Sequence, residues 1–215
     1  MKLHMINKST VPLVIFLFSI SSLLGADWPM WGKDGSRNMV SDEKKITFDF
    51  VAGEMSDDEV VDMKTTKNLR WVAKLGSQAY GNVTIGNGCV FVGTNNESPR
   101  DPGKKGDRGV VMCLDEKSGE LKWQLVIPKL GAGKVSDWEY IGICSSTAID
   151  GDKVYVVTNR CEVVCLDIHG LTNGNDGPFK DEASYIKPKG MSDVLNEKLD
   201  ADILWMYDMR DELGV

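Results

Sequence analysis

Histidine is nearly absent, with two residues in 215, His4 and His169. His169 has no Ser or Cys at a recognisable motif spacing, which argues against a catalytic His of the Ser–His or Cys–His kind. Cysteine is sparse: the five residues Cys89, Cys113, Cys144, Cys161 and Cys165 include no adjacent pair, no C-x-x-C-H haem-attachment signature and no zinc-ligand spacing. Apolar runs long enough to span a bilayer, roughly 20 residues, are missing. Positive charge is in deficit, 25 Lys+Arg against 32 Asp+Glu, a formal net charge of −7. The chain therefore lacks the broad basic face that neutralises phosphates, and no nucleic-acid partner is expected, although a small basic patch is compatible with the balance. What is present, 42% hydrophobic and 27% charged residues, is the composition of a globular protein. The length suffices for a medium-sized domain with a real core.

The first 26 residues read as a secretory signal peptide. Lys2 and Lys8 precede an apolar run from Val11 to Leu24, small residues follow at Gly25-Ala26, and a polar chain begins at Asp27-Trp28. Pro12 does not suit a buried helix, and an uncleaved anchor is the alternative. No Cys lies near the junction to carry a lipid. The expectation is an exported protein, periplasmic or extracellular, with no stable membrane span after cleavage.

The rest of the chain repeats itself. Val83 to Asn95 returns as Thr147 to Asn159 at an offset of 64, and Val111 to Asp115 returns as Val163 to Asp167 at an offset of 52. The difference of 12 is a polar insert around Asn96 to Arg108 that the second copy lacks. Leu69-Arg70-Trp71, Leu121-Lys122-Trp123 and Ile203-Leu204-Trp205 mark a third recurring element. Val90-Phe91-Val92 and Val154-Tyr155-Val156-Val157 are β-branched and aromatic runs bounded by turn residues. Gly86-Asn87-Gly88 and Asp150-Gly151-Asp152 suit tight hairpins, because positive φ is cheap for Gly and Asn. The repeat unit is expected to be a four-stranded antiparallel meander of roughly 50 residues, the size of a propeller blade.

Cys113-Leu114-Asp115-Glu116-Lys117-Ser118-Gly119-Glu120-Leu121-Lys122-Trp123 resembles the tryptophan-docking motif of the quinoprotein-like (pyrroloquinoline quinone, PQQ-like) β-propeller repeat family, with Cys where the family usually has Ala. Asp115 and Ser118 suit a hydrogen-bonded turn, Gly119 a tight bend, and Trp123 a flat ring packed between blades. Cys165-Leu166-Asp167 opens a second copy that residues 171–202 interrupt before Trp205. Asp27-Trp28-Pro29-Met30-Trp31-Gly32-Lys33-Asp34-Gly35 also looks like the mature start of exported members. The resemblance implies an all-β chain with an N-terminal extension over residues 27–68 and PQQ-like repeats over 69–215. Within these lie a ring-closing strand at about 69–75, one blade near 80–127 and a second near 142–209. Two blades leave open edges and faces, so the chain is expected to be the N-terminal part of a longer propeller.

The fold hosts enzymes and scaffolds alike. The expectation is a binding or scaffold module with a protein or cell-envelope partner. No catalytic or metal residue is assigned, and no residue is named for a cofactor. One alternative is the N-terminal part of a periplasmic PQQ-dependent dehydrogenase acting on alcohols, with PQQ and Ca²⁺ as cofactors; the vicinal Cys pair common in such enzymes is missing. Another resembles the propeller factor of outer-membrane protein assembly, for which the lipid-bearing Cys is missing. Tyr80, Asn82, Cys144, Ser145 and Ser146 are placed by the resemblance on or near innermost strands, beside an axial channel.

Four local expectations complete the reading. Aligning the copies puts Val90 opposite Cys113, so Cys89 and Cys113 should face opposite sides of their hairpin. Cys161 and Cys165 are roughly 13 Å apart along a strand, too far to bond; most of the thiols are expected in the core, with Cys144 and Cys161 least settled. Asn173-Gly174-Asn175-Asp176-Gly177 fails the EF-hand pattern, since Gly174 stands at a ligand position, and reads as a solvated turn. The 98–108 insert reads as a solvated charged loop, and Ser192 to Leu204 as a short helix capped by Ser192 or Asp193, with Val194, Leu195 and Leu199 on one face.

Overall fold

The computed structural model describes residues 26–44, 46–131, 138–187 and 194–214. The leader falls outside them except for Ala26. No helix among the described residues is long and apolar enough to cross a membrane.

The protein is all-β, mostly antiparallel sheet with a few short helices. A small hairpin, β1 (Glu54–Met55) with β2 (Val61–Asp62), lies in the N-terminal segment. The first large sheet is a meander of β3 (Thr84–Gly86), β4 (Cys89–Asn95), β5 (Arg108–Asp115) and β6 (Leu121–Pro128). The second is a meander of β7 (Ala148–Asp150), β8 (Lys153–Val157), β9 (Glu162–Asp167) and β10 (Ile203–Asp208). One-turn helices α1 (Glu182–Tyr185) and α2 (Met209–Leu213) flank β10. The described residues form no closed ring of sheets.

The hairpins follow from the turn chemistry. Asn87 and Gly88 both have positive φ, 53° and 73°, and join β3 to β4 as a two-residue turn. That turn pairs Gly86 with Cys89; across β4 and β5, Phe91 pairs with Cys113.

The sheets stack face to face. Phe91, Val111, Cys113, Trp123, Leu125 and Ile127 of the first sheet share one buried cluster with Val154, Val156, Val164, Leu166 and Ile203 of the second. The opposite face of the first sheet, with Val90, Val92, Val110, Met112 and Val126, is covered by Trp71, Ala73 and Leu75. Both faces of the first sheet are thus buried, and β4 has no exposed residue. The second sheet alternates instead: Val154 and Val156 point inward, while Val157, Trp205 and Tyr207 stay exposed on its outer face.

A cross-strand row repeats. Thr84, Phe91, Cys113 and Trp123 line up in the first sheet, and Ala148, Tyr155, Cys165 and Trp205 in the second. In the first sheet the row is covered by the second sheet; in the second it faces outward. The sheets therefore stack in the same sense, as successive copies.

At 69–75, where a ring-closing strand was expected, the segment makes no strand pairing among the described residues and holds its place by packing Trp71, Ala73 and Leu75 on the sheet face. A second correction concerns 192–204. Residues 194–199 form no helix; the backbone of Leu199 and Ala201 instead bonds Gln124 of β6, placing Asp200 beside it, and Ile203 begins β10. Pairing with an available sheet edge competes successfully with a short helix, whose nucleation is costly. Ser192 and Asp193 lie outside the described residues.

Candidate functional site

The two sheets are joined by a docked indole. Trp123 on β6 is buried, and its Nε1–H donates to the Ile168 carbonyl just past β9 at 2.8 Å. Trp71 repeats the contact, donating to the Glu116 carbonyl just past β5 at 2.9 Å. Both bonds span 45 residues. Each ring lies on a glycine of positive φ, Gly119 under Trp71 and Gly170 under Trp123; a Cβ there would sit 2.5 Å and 2.8 Å from the nearest ring carbon. Asp115 shapes the first turn by accepting from the Ser118 and Lys117 N–H groups and the Ser118 hydroxyl. These bonds, the Ser118 N–H first, hold its carboxyl below the ordinary value.

A second seam joins the two inserts and corrects in part the reading of residues 98–108 as a solvated loop: Pro99, Arg100, Pro102, Gly103, Lys105 and Gly106 are exposed, whereas Lys104 and Arg108 are buried. Lys104 is 1% exposed and its Nζ lies 2.6 Å and 2.7 Å from the two carboxylate oxygens of Asp200, itself 2% exposed. Asp101 adds a contact to the same Nζ at 3.0 Å, and the Asn196 N–H donates to Asp200 at 2.7 Å. Desolvation outweighs these partners and pushes the Asp200 carboxyl above its ordinary value. Arg108 is equally buried, its Nε bonded to the Lys105 carbonyl at 2.8 Å. Lys104 and Arg108 are drawn inside while Arg100 and Lys105 stay exposed, and Lys104 can be buried because Asp200, 96 residues away, meets it.

At the far end of the second sheet, three carboxylates converge. Asp167 ends β9, Asp202 immediately precedes β10, and Asp176 lies in the 171–181 loop; each offers an oxygen within 4.8 Å of the others. Asp202 is fully buried. Its Oδ2 accepts the Asp176 N–H at 2.8 Å, and its Oδ1 has no hydrogen-bond partner. Burial, then the negative charges of Glu182, Asp167 and Asp176, push its carboxyl up to about 6. Asp167 accepts the His169 N–H at 2.6 Å, and buried Glu182 holds the loop through Asn175 at 2.7 Å. Among the described residues, no Lys or Arg pairs with any of the three aspartates. Asp176 is exposed, as the solvated-turn reading of 173–177 expected, yet its carboxylate belongs to this cluster. Sequence reasoning missed Asp167 and Asp202 because the three positions follow no contiguous loop pattern.

The thiols require a correction. Cys89 and Cys113 lie on the same face of the first sheet, both buried in the inter-sheet core. Across β4 and β5 Phe91, not Val90, stands opposite Cys113, and a register one residue from the expected one reverses the face. A hydrogen bond from Cys113, then the Lys122 ammonium 3.3 Å away, lowers the Cys89 thiol from an ordinary 9.0 to about 6. Cys113, as the partner that keeps its proton, is pushed up. All five cysteines are free; Cys89, Cys113 and, on the other face of the second sheet, Cys165 are buried, while Cys144 and Cys161 are exposed.

Tyr80, Asn82, Cys144, Ser145 and Ser146 lie just ahead of β3 and β7, where a hydrogen bond links Asn82 to Ser146. The Asn82 N–H donates to Ser146 Oγ at 2.9 Å, Ser145 Oγ donates to the Val157 carbonyl at 2.6 Å, and Thr84 bonds Thr147. Tyr80 is exposed and bonds Gln78. Trp28 pairs with Ile85, and the Pro29 carbonyl accepts from Ile149, so the N-terminal segment bridges β3 and β7. The five residues supply hydroxyls, an amide and a thiol, not the carboxylates that a Ca²⁺–quinone pair needs; they do not fit that group. A separate open cleft of about 1100 Å³ lies between the β1–β2 hairpin and the 70–77 segment, lined by Arg70, Lys74 and Arg100 together with Glu59 and Glu97. The Lys74–Glu59 pair at 2.6 Å already engages two of these charges.

No protein-family model matches the chain, and no curated protein matches it.

Proposed function

We propose that the chain is an exported repeat protein of the PQQ-like β-propeller kind, and that it works as a binding or scaffold module. The observation that supports this best is the repeated indole dock, Trp71 to Glu116 and Trp123 to Ile168, each spanning 45 residues. It is the contact expected if each meander is a blade and each Trp seals one blade to the next. The outer face of the second sheet extends the argument. It carries Trp205 at the row position of Trp123, with Tyr155 packed 6.1 Å away between ring centroids. The matching face of the first sheet is covered by a whole sheet, so a further sheet of the same kind is the natural cover. The Lys104–Asp200 seam and the indole docks hold sheets and inserts together, which supports a scaffold reading.

The experiment has two arms. The protein, purified after export, is incubated with PQQ and Ca²⁺ and followed for quinone absorbance and alcohol-dependent dye reduction. A reporter enzyme fused behind residue 26 reads export. Export without quinone binding is the expected result. Stoichiometric quinone binding with dye reduction replaces the scaffold reading with a dehydrogenase, and retention of the reporter in the cytoplasm overturns export.

A further inference from the structure

We propose that Asp167, Asp176 and Asp202 form a binding site for one calcium ion that pins the 171–181 loop to the ends of β9 and β10. Two independent observations support the site. The first is geometric: three carboxylates from three separate parts of the chain bring oxygens within 4.8 Å of one another. The second is the state of Asp202, a fully buried carboxylate whose Oδ1 has no hydrogen-bond partner. A buried, unsatisfied carboxylate oxygen is expensive, and proteins keep one where a cation or a donor completes it.

Charge points the same way. Lys180, in the loop itself, is engaged by the side-chain oxygen and carbonyl of Asn175, and neither it nor Lys153, which stands opposite Asp167 across β8 and β9, pairs with the three aspartates. Glu182, buried close by, adds a further negative charge and is occupied by Asn175 and the Ile203 N–H. An assembly of mutually repelling acids costs stability unless positive charge enters.

The donor set selects the ion. All three ligands are carboxylate oxygens with no imidazole or thiolate, which disfavours zinc and copper. One ligand lies on an exposed loop and two on sheet ends, a flexible geometry that suits calcium better than magnesium, which demands near-ideal octahedral packing. Loop carbonyls and water complete calcium's usual six to eight oxygens. The function of the ion is to anchor the loop; the inference does not depend on the propeller reading.

The test uses the whole chain, stripped with a chelator, and Ca²⁺ alone as the probe. Calorimetric titration is expected to show one ion bound per chain, and the melting temperature to rise with Ca²⁺ concentration, since a ligand of the folded state stabilises it. Asp176→Asn removes one exposed ligand without disturbing the core. It should leave the metal-free melting temperature no lower than the parent's, since it relieves repulsion of Asp202, and weaken Ca²⁺ binding about tenfold or more. Absence of heat and of any melting shift at millimolar Ca²⁺ overturns the site. So does Asp176→Asn binding Ca²⁺ as tightly as the parent, which would put the ion elsewhere.

Discussion

Trp123 and Ile168 are joined by an indole N–H···O=C hydrogen bond of 2.8 Å that ties the last strand of the first sheet to the chain leaving β9 of the second. The ring also packs on Phe91 at 5.7 Å between centroids, so one residue supplies both apolar burial and a directional bond. Trp205 holds the equivalent position in the second sheet and is 39% exposed.

Trp123→Ala is expected to cost about 3–5 kcal/mol through the lost ring and the cavity left behind. Trp123→Phe keeps much of the burial but strands the Ile168 carbonyl, at roughly 1–3 kcal/mol. Trp205→Phe, at an exposed site, should change stability by less than about 1 kcal/mol. Urea denaturation followed by circular dichroism checks the ranking; equal losses at the two tryptophans would contradict it.

Lys104→Met leaves Asp200 buried without its cation, an expected loss of about 3–5 kcal/mol at neutral pH. Adding Asp200→Asn should recover much of it. The single variant's penalty should shrink in acid. Its unpaired Asp200 has a folded pKa above the unfolded one, so the penalty is full above the folded value and vanishes below the unfolded value. Denaturation midpoints of the parent and both variants across pH give the answer.

The Cys89 thiol predicts a pH dependence of opposite sign. Its folded pKa, about 6, lies below the ordinary 9.0. The unfolded chain therefore holds the proton through that window, and the stability contribution, full above 9, is lost as pH falls through about 6. The parent should gain stability between these values relative to Cys89→Ala. Lys122→Met should flatten the gain. Urea titrations at the two ends of the window test this, and identical slopes for parent and Cys89→Ala would refute the lowered thiol.

Tyr207 is exposed on the outer face of the second sheet beside Val157 and Trp205. If that face is built to be covered, Tyr207→Lys should reduce association of the chain with itself at high concentration and leave its unfolding midpoint nearly unchanged. Sedimentation equilibrium reads the first quantity and chemical denaturation the second.

Much of the architecture was legible because its causes are local. Runs such as Val154 to Val157 favour strand wherever they stand, and Asn87-Gly88 dictates a tight hairpin. The recurrent Trp spacing pointed to the dock before any contact was known. The face of Cys89 was misread because aligning two copies shows which positions correspond, not which residue of β5 stands opposite which of β4, and that pairing, Phe91 with Cys113, is made by the folded sheet. The Ser192 to Leu204 helix failed for a related reason: the neighbouring edge of β6 offered Leu199 and Ala201 backbone partners that a local propensity reading does not contain.

The amino-acid sequence by itself thus determined the strands, their meander order and the repeated indole positions, since backbone preference, side-chain alternation and turn geometry act over a few residues. Only the tertiary structure decided which charges are buried and which acids meet. Lys104 and Asp200 are 96 residues apart in the chain, and Asp167, Asp176 and Asp202 share no loop. A charge reads as solvated until packing removes its water, and what then satisfies it depends on what the fold brings within about 3–4 Å.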